Sequence, residues 1–440
     1  MAKLVIGTTG SGGVPAMVKE IGPVYYKEFT LNGTTLQKKR NQTIDFTGVT
    51  TIEDGVIDYL FQTSSVAPDF KNVTTVRSMR QSFKSPAFGS LNLKNVTTIG
   101  DMSSAFSGAN SLMYCLSGTV DLGALTTITG ADYAFSNCSA TSFVANNLTT
   151  IDSAEYMFSN YGTGRPSSWR LSELNLSSLT TVTSSAYYMF SGAKITRVNL
   201  SGLDSPGIYL RGDHIYTYTD MFFGAYTTHV DLSGLTSLAA GYHMFNSSSV
   251  QYVNFKNLES IPISTKFGGD ANDGGLDSAF NQGHITVLRF PSLTSIGKYA
   301  MYGIFNGAYN TAIHIYFYHH LDVIANLGSM SNGRTGITVH FPISEQAVIG
   351  SESVVTGGYG SGHATTLFDI VTEATGADGN TYTRRQKDSP LDANFEPTAT
   401  AWTYNDTLYY TAGASEPQVG DTIYSDTACT TAVTTISAIA

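Results

Sequence analysis

The sequence predicts a mainly β (β-rich α/β) protein: a solenoid of stacked repeats with a parallel sheet, then a small C-terminal antiparallel β module. Three observations carry this. A phrase of the form Leu-Thr-Thr-Ile recurs along most of the chain, each time shortly before a Phe or Met-Phe. An apolar–polar–apolar triplet stands just ahead of most copies, and such alternation marks a half-buried strand. Charged residues make up 13% of the 440, against about 25% in ordinary globular proteins. Surface polarity therefore comes from Ser, Thr, Asn and Gly, which suit strands and turns rather than solvated helices.

Residues 1–43 lack the repeat and read as an N-terminal anchoring or assembly arm. The run Gly7-Thr8-Thr9-Gly10-Ser11-Gly12-Gly13 lacks the closing Gly-Lys-Ser/Thr of a phosphate loop, so a structural role is expected. The opening Leu4-Val5-Ile6 breaks at Gly7, short of the roughly 7–15 apolar residues of a secretory signal. Synthesis and folding in a cytoplasm are the expectation. No stretch approaches the roughly 18 apolar residues of a membrane helix, so no membrane span is expected.

Residues 44–345 carry the repeat. The phrase appears as Val49-Thr50-Thr51-Ile52, Val73-Thr74-Thr75-Val76, Val96-Thr97-Thr98-Ile99, Leu125-Thr126-Thr127-Ile128, Leu148-Thr149-Thr150-Ile151, Leu179-Thr180-Thr181-Val182, Leu235-Thr236-Ser237-Leu238 and Leu293-Thr294-Ser295-Ile296. The triplets include Leu91-Asn92-Leu93, Val120-Asp121-Leu122, Leu174-Asn175-Leu176, Val198-Asn199-Leu200, Val230-Asp231-Leu232, Val253-Asn254-Phe255 and Leu288-Arg289-Phe290. Each unit reads as strand, turn, short strand, then a helical or irregular turn carrying an inward Phe. The period of roughly 23–35 residues lies in the solenoid range. One unit cannot bury its own apolar edge, whereas a stack can. Phe83, Phe106, Phe135, Phe158, Phe190, Phe222, Phe245, Phe280 and Phe305 are expected to form an internal ladder.

Residues 346–440 read as a linker, Gly357–Gly362, and a C-terminal β module. Gly379-Asn380 and Asn405-Asp406 are its hairpin-turn signals.

Two stretches resemble a known family: Leu293-Thr294-Ser295-Ile296-Gly297 through Tyr299-Ala300, and Leu125-Thr126-Thr127-Ile128 through Tyr133-Ala134-Phe135-Ser136-Asn137-Cys138. Both resemble the BspA-like class of leucine-rich repeats. The resemblance implies a leucine-rich-repeat solenoid, right-handed, with a parallel sheet on one face, and adhesion to proteins or cell surfaces. The C-terminal module and the Lys3-Leu4-Val5-Ile6-Gly7 start resemble end modules and attachment arms of bacteriophage fibre and tail-associated virion proteins.

The formal charge of −10 argues against nucleic acid, which needs clustered Lys and Arg. The run Lys38-Lys39-Arg40 reads as a solvated loop. Cys115, Cys138 and Cys429 form no CxxC and read as reduced structural thiols. No G-x-S-x-G or HExxH motif occurs. His314, Tyr316, Tyr318 and His320 would share one strand face, but only Asp322 is an acid close by, and a metal is not expected. Gly269–Gly275 lacks the closing Glu of an EF-hand and reads as a polar insertion. Arg211-Gly212-Asp213 is a tripeptide that arises often by chance. No catalytic, cofactor or metal residue is assigned; the chain is read as a non-enzyme without cofactors.

Tyr is abundant, 26 against 2 Trp. Tyr209, Tyr216, Tyr218 and Tyr226 cluster in one long repeat, and exposed Tyr offers rigid amphipathic contact area. These four are the expected binding residues, against the plainer reading that they fill the solenoid. The leading expectation is an adhesive virion protein, a phage fibre or decoration protein. It would be anchored to other virion proteins by its arm, form a homo-oligomer (a trimer), and bind a host-surface protein or glycan. A bacterial cell-surface adhesin is the alternative, and a carbohydrate-active enzyme, with paired carboxylates, a third.

Overall fold

The structure, a computed structural model, describes residues 46, 49–62, 67–84, 90–107, 118–138, 140–160, 171–204, 217–262, 275–297, 300–310, 312–321, 330, 335–349 and 364–440, and the backbone of short strands at 3–45 and 210–215. The chain divides into two compact units, Met1–Thr227 and Thr228–Ala440. It is nearly all β, as the sequence predicts. Gly357–Gly362, Gly7–Gly13 and Cys115 lie outside the described residues.

In the first unit, the arm contains an antiparallel hairpin, Tyr26–Leu31 with Thr34–Lys39, and Lys3–Val5 pairs in parallel with Thr43–Asp45. The repeat phrases then build a six-stranded parallel sheet from Thr51–Ile52, Thr75–Ser78, Thr98–Asp101, Thr127–Gly130, Thr150–Ser153 and Thr181–Ser185. Its register places Ile52, Val76, Ile99, Ile128, Ile151 and Val182 side by side, all buried. Preceding triplets pair separately in parallel, as Leu91–Asn92, Thr119–Asp121 and Ser142–Val144, and as Leu171–Asn175 with Ile195–Asn199. Each repeat thus serves two strand layers.

The repeated polar residues have specific tasks. The first Thr of each phrase donates its hydroxyl to the carbonyl of its counterpart one repeat back: Thr74 to Thr50, Thr97 to Thr74, Thr126 to Thr97, Thr149 to Thr126 and Thr180 to Thr149, at 3.1–3.2 Å. The Asn or Asp of the triplet folds onto the following turn. Asn92 accepts from the Lys94 amide, Asp121 from Gly123, Asn175 from Ser177 and Asn199 from Ser201, at 2.9–3.0 Å. Short side chains capable of such Asx turns explain why Lys and Glu are absent there.

The inward Phe residues stack through the first unit. Phe61, Phe83, Phe106, Phe135, Phe158, Phe190 and Phe222 follow one another at centroid spacings of 4.8–5.4 Å, within 12° of parallel. Offset stacking adds to the burial of each ring.

The second unit repeats the pattern. Phe245, Phe280 and Phe305 stack. A second ladder, Phe255–Phe290–Phe317–Phe341–Phe368, arises because the triplet's last position is Phe here instead of Leu. Val287–Phe290, Ile313–Phe317, Ile337–Pro342 and Thr365–Ile370 form a parallel sheet. Parallel pairing therefore runs on past residue 345: Thr365–Ile370 lacks the phrase but still supplies Phe368 to the ladder.

A closed six-stranded antiparallel barrel follows, from Glu373–Gly376, Thr381–Arg384, Ala399–Tyr404, Thr407–Ala412, Thr422–Tyr424 and Ala432–Ile439. Asn405 and Asp406 both take positive φ, 44° and 63°, as a two-residue hairpin turn requires. The barrel core is Val371, Ala374, Tyr382, Trp402, Ile423 and Ile436. Cys138 and Cys429 are free thiols.

Candidate recognition surface

Every described Phe turn of the first unit contains a residue in the left-handed backbone region two positions before the Phe: Tyr59, Gln81, Ser104, Tyr133, Tyr156, Tyr188 and Asp220, with φ between 51° and 60°. Such a conformation costs a non-glycine residue on the order of 1 kcal/mol. The turn offsets that cost with hydrogen bonds to the next repeat. Ser104 N donates to Asp132 O at 2.8 Å, Tyr133 N to Glu155 O at 2.8 Å, and Tyr156 N to Tyr187 O at 3.0 Å. The kink sends the Phe inward and leaves the residue two before it partly or fully exposed at every one of these turns except that of Asp220, which is buried.

Three successive repeats place Tyr at that position. Tyr133 stacks on Tyr156 at 4.7 Å and 7°, and Tyr156 on Tyr188 at 5.0 Å and 18°. Tyr187 meets Tyr156 and Tyr188 edge-on. One end of the strip closes on the edge of Phe223, 5.7 Å from Tyr188. At the other end Ser104 stands where a fourth ring would be, and Tyr133 is 42% exposed.

Acidic groups flank the strip. Burial, then Glu155 and Asp132, raise the Tyr133 phenol. Asp220 is pushed up to about 7 by burial, against the opposing hydrogen bond from Tyr188. Asp220 raises the Tyr188 phenol in turn, after burial.

The tyrosines singled out from sequence fare differently. Tyr209 and Tyr216 lie outside the described residues. Tyr218 is a correction: it is fully buried, its hydroxyl 3.4 Å from the Asp204 carbonyl. Four positions before Phe222, it falls on the inner side of the turn and can touch no partner. Tyr226 is 46% exposed, with the Lys194 ammonium 6.0 Å from its ring centroid. The strip that does assemble was missed, yet its signal was present: Tyr-x-Phe in three consecutive repeats, Tyr133–Phe135, Tyr156–Phe158 and Tyr188–Phe190.

The second unit carries a polar column on its four-stranded sheet. The register aligns Arg289, Tyr316, His340 and Leu367. The Arg289 guanidinium carbon lies 4.2 Å from the Tyr316 ring centroid, and Tyr316 stacks on His340 at 4.2 Å. His340 donates from Nδ1 to Asp369 at 2.8 Å, and its Nε2 lies 3.0 Å from His314 Nδ1, within hydrogen-bond distance. Burial, then His340 and Arg289, lower the His314 pKa. Arg289 also donates to Glu396 at 2.7 Å and to the Tyr318 hydroxyl at 2.9 Å, and His229 Nε2 donates to Asn394 at 2.9 Å. The barrel segment between Leu391 and Pro397 is thereby pinned to the repeat strands of its own unit.

Of the residues that strand alternation put on one face, His314 and Tyr316 do share it, and Tyr318 is buried. His320 bonds Glu345 at 2.8 Å, and Asp322 lies outside the described residues. Among the described residues no three His, Cys, Asp or Glu side chains converge as a metal-holding group, and no helix is long and apolar enough to cross a membrane. Gly269–Asp273 of the polar insertion, and Gly212 and Asp213 of the tripeptide, lie outside the described residues. Compared with protein-family models, curated proteins and solved structures, the chain matches none.

Proposed function

We propose that this chain is a non-enzymatic adhesive protein whose repeats form a rigid frame presenting side chains to a host-surface protein or glycan. The observation that carries the reading is the tyrosine strip: three rings held in register by the repeat backbone, beside acceptor-rich polar groups, with one ring face open. Rigid aromatic contact area of this kind costs little side-chain entropy on binding. The sequence resemblances to BspA-like repeats and to virion end modules support a setting in a phage fibre or decoration protein. In that setting residues 1–43 join other virion proteins and the chain assembles as a trimer.

The native mass of the full chain, measured by light scattering beside a chain of residues 44–440, tests the setting. A trimer that dissociates on removal of the arm supports the fibre reading. A monomer in both forms overturns it in favour of a solitary cell-surface adhesin. Adhesion itself is tested by binding of the labelled full chain to arrayed glycans and to arrayed cell-surface proteins. Binding to neither overturns the adhesive reading.

A further inference from the structure

We propose that the open end of the tyrosine stack is a seat for one neutral hexopyranose ring, held against Tyr133 over Ser104. The inference rests on the adhesive reading and names the ligand chemistry of its surface. Ser104 has the same turn as the tyrosines, φ 55° against 56° at Tyr133, and the same hydrogen bond to the next repeat. The backbone therefore delivers its side chain to the next position of the ladder. Among the described residues only a hydroxymethyl group stands there, so one face of Tyr133 is left for a flat ligand. The spacing within the stack, 4.7 and 5.0 Å, is that of ring on ring, so a ring of ligand size fits the same step.

The rim selects the chemistry. A Cβ built on Gly130, three residues before Tyr133, would sit 3.4 Å from Asp101 Oδ1 and 3.5 Å from Ser103 Oγ. A carboxylate and a hydroxyl therefore stand beside Gly130, while Asp132, next to Tyr133 in sequence, accepts from the Ser153 hydroxyl and the Glu155 amide of the following repeat. Asp101 is fixed by Arg80, whose Nε donates to it at 3.0 Å. A sugar ring offers a face of C–H groups for the negative face of the phenol, and hydroxyl groups to share the lone pairs that the carboxylates keep beyond their internal bonds. Sialylated and sulfated sugars would bring a negative charge near Asp132 and Glu155, on a chain of charge −10, while the Arg80 cation is already paired with Asp101. The ligand is therefore a neutral hexose at the end of, or exposed along, a surface glycan.

The test is a glycan array carrying galactose- and glucose-terminated, sialylated and sulfated glycans. It is probed with the labelled full chain and with Tyr133→Ala, Ser104→Tyr and, as a control, Tyr309→Ala at an exposed ring of the second unit. Ser104→Tyr is the informative variant, because its ring extends the protein's own stack into the seat. The expected result is binding of neutral glycans, reduced roughly tenfold or more by both Tyr133→Ala and Ser104→Tyr, and unchanged by Tyr309→Ala. Ser104→Tyr should melt no lower than the parent chain, which separates loss of the seat from loss of the fold. Should it melt lower, Tyr133→Phe, which keeps the ring, must keep the binding while Tyr133→Ala loses it. Preference for sialylated or sulfated glycans overturns the proposal, as does neutral binding that survives both substitutions. Protein binding without glycan binding overturns the seat while leaving the adhesive reading in place.

Discussion

Arg289 lies over the Tyr316 ring, its guanidinium carbon 4.2 Å from the centroid. The same guanidinium holds Glu396 and the Tyr318 hydroxyl, so a planar fork serves three partners at once. Lys cannot reproduce that geometry. Arg289→Lys should destabilise the second unit by about 1.5–3 kcal/mol, the value of hydrogen bonds to charged groups. The loss should appear as a lower melting temperature and faster amide exchange across residues 392–396. Unchanged exchange there would refute the pinning role.

Asp220 couples the tyrosine strip to pH. Its carboxyl titrates at about 7 in the fold, against about 3.9 when unfolded. Between those values the folded chain binds more protons than the unfolded one. Stability therefore falls as pH rises through that window and levels off above it. Asp220→Asn keeps a side chain that tolerates the left-handed turn and cannot ionise. Melting curves from pH 4 to 8 should flatten for the variant, which should exceed the parent chain at pH 8 by a few degrees. A parent chain that gains stability from pH 4 to 7 through this residue would refute the assignment.

Phe106 is fully buried between Phe83 and Phe135, at 5.1 and 5.0 Å. Phe106→Ala removes a ring stacked on both faces and should cost about 3–5 kcal/mol in chemical denaturation. Phe106→Leu keeps apolar volume and should cost clearly less. A Phe106→Leu cost near zero would mean that stacking adds nothing beyond burial.

Thr126 donates its hydroxyl to the Thr97 carbonyl, which also accepts the Thr126 amide at 3.0 Å. Thr126→Val deletes one partly solvated bond and orphans no acceptor. The expected cost is at the low end for a hydrogen bond, about 0.5 kcal/mol, readable as a small shift in denaturant midpoint. Substituting Thr97, Thr126 and Thr149 together should sum these costs. A triple variant as stable as the parent would show the hydroxyl ladder to be energetically idle.

Much of this was legible in the residues because it is local and periodic. The Thr-Thr phrase sets an apolar position between polar ones, and identical phrases in a stack fall into register. That alone put Ile99 beside Ile128 and Phe106 beside Phe135. Asn405-Asp406 announced its hairpin by the same kind of rule. The second Phe ladder was half visible, since Phe255 and Phe290 already stood at the inward end of their triplets.

The surface was not legible in this way. Tyr218 and Tyr226 look equivalent by proximity in sequence, yet one is buried and the other exposed, because the Phe turn decides which way each position points. Tyr133, Tyr156 and Tyr188 are separated by unequal repeats and meet only because the extra residues are absorbed outside the stacked turns. Arg289 finds Glu396 more than a hundred residues away, across a barrel whose position no local pattern encodes. By itself the sequence determined the repeat, its inward ladders and the turns of the barrel, since each follows from short-range backbone preference and the burial of apolar side chains. The tertiary structure alone decided which polar and aromatic side chains share a surface, because that depends on register between distant segments, fixed only once neighbouring repeats have stacked.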